Sequence, residues 1–440
     1  MITSAIGKLL IESYNEKHGT SFDSESFFMD IYYPLFYDQE KYLMSPGNNP
    51  LENPKISWEN MLKGRQPFEN KEQRKKRLEK LLEKIESGRP NTENAIGFAS
   101  EDILSTTAGQ TSNINYPLTR QDIFSSWIGA SLGIGVEGGL SILFMKKDIL
   151  LDLFEGWTHY RTMLNGTKKM KGNQVNTWNA QWIVHKYNKH EYIEHAPMAN
   201  LNILIACKGK YNGCQEIKMT AWTKVLISIA RQYKDPQMMG YIYNFGQTNT
   251  TYGFIPFYMS HIRRAVELYN QFFGISEGLK AEAIWGDPKG FRAACLKGAI
   301  GIKALEPIAL KNSWKNDIKL KYNSNNETTI ISYNTYKIWL MAILNNQELW
   351  DKSNEFAVIL HNYLTNNPKS ISTERKNRVD SLLNSRTKKM FIDSATTLMD
   401  DSSIVGPLSE LVKLVHMMPN DNVPYFITLI KFNKIVLDNQ

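Results

Sequence analysis

Cysteine is scarce in this sequence, with three in 440 residues: Cys207, Cys214 and Cys295. So small and odd a number argues against a disulfide framework and for a reducing compartment. No run of about 18 apolar residues occurs, so no transmembrane helix is expected. The first residues, Met1 to Lys8, carry no basic segment followed by an apolar core and a small-residue cleavage site. The expectation is a cytoplasmic chain with no membrane partner. Also absent are a G-x-S-x-G nucleophile elbow, a G-x-x-x-x-G-K-[ST] phosphate loop and a cysteine in an activating context. ATP hydrolysis and serine or cysteine nucleophilic catalysis are therefore not expected, and neither is a cofactor.

What is present is the composition of a folded protein, 42% hydrophobic and 11% aromatic. The length suits two or three domains. Basic residues number 52 against 44 acidic ones, giving a formal charge of +8 and a pI near 9.0. That excess mildly favours an anionic partner, of which a phosphate backbone is the commonest.

Three loops combine glycine with uncharged amides. One is Phe245-Gly246-Gln247-Thr248-Asn249-Thr250-Thr251-Tyr252-Gly253, between two hydrophobic segments. The others are Gly109-Gln110-Thr111-Ser112-Asn113 and Gly172-Asn173-Gln174-Val175-Asn176-Thr177. Amides can read base edges, and they can equally cap helices and close turns. Gln110, Asn113, Asn173, Gln174, Asn176, Gln247 and Asn249 are the candidates for base or groove contact. Lys168, Lys169 and Lys171 stand directly before the third loop, which joins phosphate attraction to base-edge chemistry. Arg263 and Arg264, on the helix after the first loop, are further phosphate candidates.

The elements around these loops follow from periodicity. Residues 4–18 form an amphipathic helix. The aromatic stretch 27–37 is a buried helix or strand. Residues 71–84 form a strong helix with Leu78, Leu81, Leu82 and Ile85 as its buried stripe, and Arg74, Lys75, Lys76 and Arg77 set against the helix dipole. Leu132-Gly133-Ile134-Gly135-Val136-Glu137-Gly138-Gly139 contains a formal G-x-G-x-x-G, but a strand-like segment follows it where a helix should open. Close packing or a turn explains those glycines better. Helices are expected over 148–164, 175–187 and 222–233. Residues 202–207 and 215–219 read as two strands of a hairpin closed by Lys210-Tyr211-Asn212-Gly213.

Beyond residue 312 the sequence turns helical. Breaks at 366–368, 400–403 and 419–422 separate four or five helices, one of them predicted as a single element over 373–400. One face is basic, with Lys369, Arg375, Lys376, Arg378, Arg386, Lys388 and Lys389 against Glu374 and Asp380. The reading is an α+β fold in two domains. A mixed α/β body with short β-hairpins covers 1–322, and a C-terminal α-helical bundle covers 328–440.

Two constellations bear on catalysis and metal binding. Glu216-Ile217-Lys218 is an E-x-K on a predicted strand, as in metal-dependent nucleases. The nearest upstream Asp, Asp152, is far from any neighbouring strand, and Glu194 lies closer. A metal-dependent nuclease using Glu216 and Lys218 stands as an alternative reading, beside a protein-interaction scaffold. His185, His190, His195, Cys207 and Cys214 are zinc-capable side chains at spacings that fit neither one helix face nor a cysteine knuckle. Ordinary packed cysteines and surface histidines are the expectation there.

In organisation the chain resembles the large subunits of type I CRISPR interference complexes (Cascade). The likeness lies in the α/β body with polar loops at 109–113, 168–177 and 246–251, and in the C-terminal helical bundle with Lys and Arg on one face. The resemblance implies a non-enzymatic DNA-binding subunit that recognises the protospacer-adjacent motif in double-stranded target DNA. It implies a helical bundle lining the path of the displaced strand and the RNA–DNA hybrid, and as partners a guide RNA, the other subunits of a ribonucleoprotein complex and a recruited helicase-nuclease. Arg375, Lys376, Arg378, Lys388 and Lys389 would then meet phosphate.

Overall fold

A computed structural model describes residues 1–44, 49–51, 58–87, 95–97, 118–244, 250–316, 318–365, 372–399 and 401–439. In chain order its elements begin with α1 (Ile2–His18), α2 (Ser24–Phe27), a π-helical turn (Phe28–Tyr32), α3 (Tyr33–Phe36), α4 (Trp58–Leu62), α5 (Lys71–Ser87) and α6 (Arg120–Ala130). Next are β1 (Ile134–Val136), β2 (Leu140–Phe144), α7 (Lys147–Gly166), α8 (Val175–Lys186), β3 (Leu204–Ala206), β4 (Gln215–Ile217), α9 (Trp222–Gln232), β5 (Met238–Asn244) and β6 (Thr250–Phe257). The rest is helical: α10 (Met259–Phe273), α11 (Ile275–Ala281), α12 (Phe291–Cys295), α13 (Ile308–Asn316), α14 (Glu327–Leu344), α15 (Glu348–Thr365), α16 (Ser372–Leu383), α17 (Lys388–Thr396), α18 (Ser402–Met417) and α19 (Val423–Asp438). This is an α+β fold with a helical C-terminal part. Among the described residues no helix is long and apolar enough to cross a membrane.

Two compact units emerge. The first is Met1–Phe257 with Pro288–Ile300, and the second is Tyr258–Asp287 with Gly301–Gln440. The domain division expected between 322 and 328 falls inside the second unit, because α10, α11 and α13 group with the C-terminal helices.

In the first unit α1 and α6 meet through glycine. A Cβ on Gly7 would lie 1.9 Å from the Ser125 carbonyl oxygen, and one on Gly129 would lie 1.8 Å from that of Thr3. Small residues let the two backbones touch, and the buried hydroxyls close the gap. Ser4 Oγ donates to the Asp122 carbonyl (2.5 Å) and Thr3 Oγ1 to that of Ile96 (2.7 Å). The aromatic stretch is helical and buried at Phe27, Phe28, Tyr32, Tyr33, Phe36 and Tyr37. Its π turn, where the Tyr33 N–H reaches Phe28 O, lies directly before Pro34, which has no N–H to donate.

Helix ends in this unit are closed by buried cations. Arg161 on α7 donates to the carbonyls of Leu35 (2.6 Å), in the last turn of α3, and of Lys41 (2.7 Å), beyond its end. Lys41 does the same at the end of α7, donating to the carbonyls of Thr167 (2.9 Å) and Leu164. The last carbonyls of a helix have no partner within it, and a basic side chain is a suitable donor.

The main sheet is antiparallel with order β1-β2-β5-β6. Its register pairs Ile134 with Ile142, Ile142 with Ile242 and Tyr241 with Phe254. The glycine-rich segment at 133–139 is strand β1 and a turn, with Gly138 and Gly139 at φ of 97° and 78°. Gly135 makes room for the backbone of Asn176, and Gly133 for the hydroxyl of Tyr243. The stretch expected as a polar loop through Gly253 is strand from Thr250 onward, where β6 pairs with β5, and residues 245–249 lie outside the described residues. The expected hairpin forms as β3 and β4, with Leu204 opposite Ile217 and Ala206 opposite Gln215.

In the second unit α15 and α19 share a buried hydrogen bond, Asn433 Nδ2 to Ser353 Oγ (2.9 Å). The single helix expected over 373–400 is two helices, α16 and α17. Thr387 ends the continuity, because its side chain accepts from the Met390 N–H and starts a new helix. The C-terminal part from α14 to α19 thus has six helices among the described residues.

Candidate nucleic-acid interface

The lysines before the third amide loop sit on a turn with unusual backbone geometry. Lys169 (φ 55°) and Asn173 (φ 59°) both occupy the left-handed region, which side-chain-bearing residues other than Asn and Asp seldom adopt. The turn holds this shape because it is hydrogen-bonded on both sides. Gln215 N–H donates to Lys169 O (3.0 Å), and Lys171 N–H donates to Gln215 O (2.8 Å), adding a short bridge to β4. Asn173 N–H donates to Tyr42 O (2.7 Å), and Val175 N–H to Leu43 O (3.1 Å).

Lys168 and Lys169 point outward from this turn and are exposed. Among the described residues neither has an ion-pair partner. Lys171 is half-buried, 3.4 Å from Glu216 and 5.1 Å from the Tyr211 ring centre. Pairing with β4 also brings the loop after β3 alongside. Lys210 lies 5.9 Å from the same Tyr211 ring, and Lys63 donates to Lys210 O (2.9 Å). Lys208 is exposed on that loop. Lysines therefore outnumber the local carboxylates, Glu59 and Glu216, around one partly exposed tyrosine. Sequence reading finds Lys168, Lys169 and Lys171 but misses Lys63, Lys208 and Lys210. Their approach depends on Met170 bridging to Gln215, 45 positions away along the chain.

The amides of the same segment face inward. Asn173 places its side-chain nitrogen 3.1 Å from the carbonyls of both Tyr42 and Met44. Gln174 Oε1 accepts from the Ile217 N–H (3.1 Å), and Asn176 Nδ2 donates to Ser141 Oγ (3.1 Å). Asn173 and Gln174 fasten the turn to neighbouring elements, whereas Asn176 lies on α8, where the expected loop has already become helix from Val175, and ties that helix to β2. Gln110, Asn113, Gln247 and Asn249 lie outside the described residues.

Elsewhere the candidate cations divide into engaged and outward-facing side chains. Arg74 and Arg77 on α5 pair with Asp38 (3.1 Å) and Glu69 (2.6 Å). Arg263 approaches Glu267 at 4.0 Å, while Arg264 is exposed. Both lie in the second turn of α10. Arg375 is buried, 4.2 Å from the Tyr363 ring centre and 3.2 Å from Asp401. Arg378 donates to Glu374 (2.5 Å) and Thr397 O (2.9 Å), and Lys388 donates to His416 O (2.7 Å). Lys376 and Lys389 remain exposed. The basic face of the helical region is thus thinner than its residue count suggests.

Glu216 and Lys218 stand two apart along β4 and its extension, and Glu216 faces Lys171. The five zinc-capable side chains do not converge. His185 is buried against Pro197 O (3.0 Å), and His190 and His195 are exposed. Cys207 and Cys214 are buried together with Trp58, Met61 and Leu62. No group of three or more His, Cys, Asp or Glu suited to a metal occurs among the described residues. Compared with known families, with curated proteins and with solved structures, the chain matches none.

Proposed function

We propose that the chain is a non-catalytic nucleic-acid-binding protein whose phosphate contacts come from the lysines around the 168–171 turn and the 208–211 loop. The observation that carries this reading is the outward Lys168 and Lys169 pair on a turn whose backbone is pinned on both sides. A pinned turn loses little backbone entropy on binding. Exposed lysines without acidic partners release counterions when they meet phosphate, which drives association. Tyr211, ringed by Lys171 and Lys210, adds a face on which an unpaired base can stack.

The finer reading is the large subunit of a type I CRISPR interference complex, bound to target duplex DNA, guide RNA and neighbouring subunits. It rests on the likeness of organisation. With Asn173, Gln174 and Asn176 engaged inside the fold, readout of the short DNA motif in that reading falls to Gln110, Asn113, Gln247 and Asn249.

The test is binding of single- and double-stranded DNA and RNA across a salt series. For duplex DNA, Lys168→Ala with Lys169→Ala should weaken all sequences alike and reduce the log–log salt slope by about 2, roughly one for each phosphate no longer neutralised. An unchanged affinity and slope would overturn the assignment of this turn. For the finer reading, the native complex should yield a guide RNA and repeated backbone subunits on purification.

A further inference from the structure

We propose that Cys207 and Cys214 form a cross-strand dithiol that converts reversibly to a disulfide by exchange with a small-molecule disulfide. The register of the β3–β4 hairpin pairs Leu204 with Ile217, Ile205 with Glu216 and Ala206 with Gln215. One step further, Cys207 stands opposite Cys214, and the Cys207 N–H donates to Cys214 O at 2.9 Å. Hydrogen-bonded partners in an antiparallel pair have Cα atoms about 5.5 Å apart with side chains on one face. That spacing lies inside the range of roughly 4.4–6.8 Å that a disulfide spans. Both thiols are free, 3% and 2% exposed, and packed on the same small cluster of Trp58, Met61 and Leu62. Cys295 is also free but lies on α12, away from the hairpin in sequence and pairing.

The exchange balances within these groups. One cysteine thiolate attacks the small disulfide and expels one small thiol. The second cysteine thiolate then attacks the mixed disulfide and expels the other. Two protein thiols are oxidised by two electrons, one small disulfide is reduced to two thiols, and the protons leave with them. Burial pushes the Cys207 thiol up to about 11, with Glu216 adding to the rise and Lys171 opposing it. Exchange is therefore slow at neutral pH and speeds up as pH rises. The hairpin packs on a small satellite cluster, so local opening can expose both thiols without global unfolding. Because Gln215 holds the 168–171 turn, the pair sits one residue from the contact that shapes it.

The experiment treats the reduced full-length protein with oxidised glutathione, then blocks remaining thiols and maps the peptides. The expected product is two hydrogens lighter than the reduced chain and links Cys207 to Cys214. Its formation should accelerate about tenfold per pH unit below the thiol value. Cys214→Ser should stop at a glutathione adduct on Cys207, while Cys295→Ser should leave the linkage unchanged. In parallel, a trivalent arsenical, which needs two neighbouring thiols, should bind the wild type one to one. A wild type that ends as glutathione adducts, stays unmodified or crosslinks through Cys295 overturns the proposal. These readouts do not involve nucleic acid, so they stand or fall apart from the binding role.

Discussion

Arg161 and Lys41 in the first unit and Lys337 in the second are buried in different ways. In the first, Arg161 and Lys41 donate to the carbonyls at helix ends, exchanging water for oxygen acceptors. In the second, Lys337 is 8% exposed with its ammonium 5.3 Å from the Trp350 ring centre and 5.9 Å from that of Phe273. It has no hydrogen-bond acceptor among the described residues. Ring faces attract a cation but do not replace hydration as carbonyl oxygens do. A buried cation is thus a brace where it meets oxygen acceptors, as Arg375 of the second unit also does at Tyr363 O and Asp401, and a burden where it meets rings alone, as Lys337 does. Lys168 and Lys169 are left to solvent.

The sharpest way to break this comparison is to replace the cations by methionine. Arg161→Met should destabilise the first unit by about 4 kcal/mol, because several buried carbonyls lose their donor together. Denaturant unfolding followed by tryptophan fluorescence would read it, and a loss below about 1 kcal/mol would remove Arg161 from the frame.

Lys337→Met should act in the opposite direction and stabilise. Burial draws the Lys337 ammonium down to about 8 from its ordinary 10.5. Between those values the unfolded chain still holds a proton that the folded chain has released, so stability should climb as pH rises through that window. The gain should be on the order of 3 kcal/mol, and the methionine variant should show none of it. A flat profile in the wild type would mean that the ammonium is better solvated than the ring contacts indicate.

Charge reversal separates the outward cations of the two units. Lys168→Glu with Lys169→Glu should lower nucleic-acid affinity at least about tenfold at moderate salt. Lys376→Glu with Lys389→Glu should cost roughly threefold or less, since their neighbours Arg378 and Lys388 are engaged within the fold. Equal losses would make the helical region an equal partner in binding. The smallest effect is expected from Asn173→Ala, about 1 kcal/mol of stability for the hydrogen bonds to Tyr42 and Met44. Binding should follow only as far as the turn loosens.

Much of this architecture is legible along the chain. Apolar spacing announces α1, α5 and the C-terminal helices, and Asn212-Gly213 announces the β3–β4 hairpin. The glycines at 133–139 read as close packing or a turn rather than a dinucleotide motif, and they supply both, Gly133 and Gly135 by close approach and Gly138 and Gly139 in the turn. The split between α16 and α17 escapes sequence reading, although Thr387 carries an N-cap signal, because the apolar spacing runs on across it. The candidate site is only half legible. Lys168 and Lys169 stand out by sequence, but Asn173, Gln174 and Asn176 look like readers of bases; the first two fasten the turn and the third ties α8 to β2.

The sequence by itself determined most of the helices and the β3–β4 hairpin, since periodicity and capping act within a few residues. It also determined the surplus of basic residues. Only the tertiary structure decided which of them face solvent. Arg375 and Lys376 are neighbours on α16, yet one is wrapped by Tyr363 and Asp401 and the other is exposed. The physical reason is that a cation turns inward where distant backbone presents carbonyls, rings or carboxylates that can replace water. Those acceptors belong to residues the local sequence does not contain.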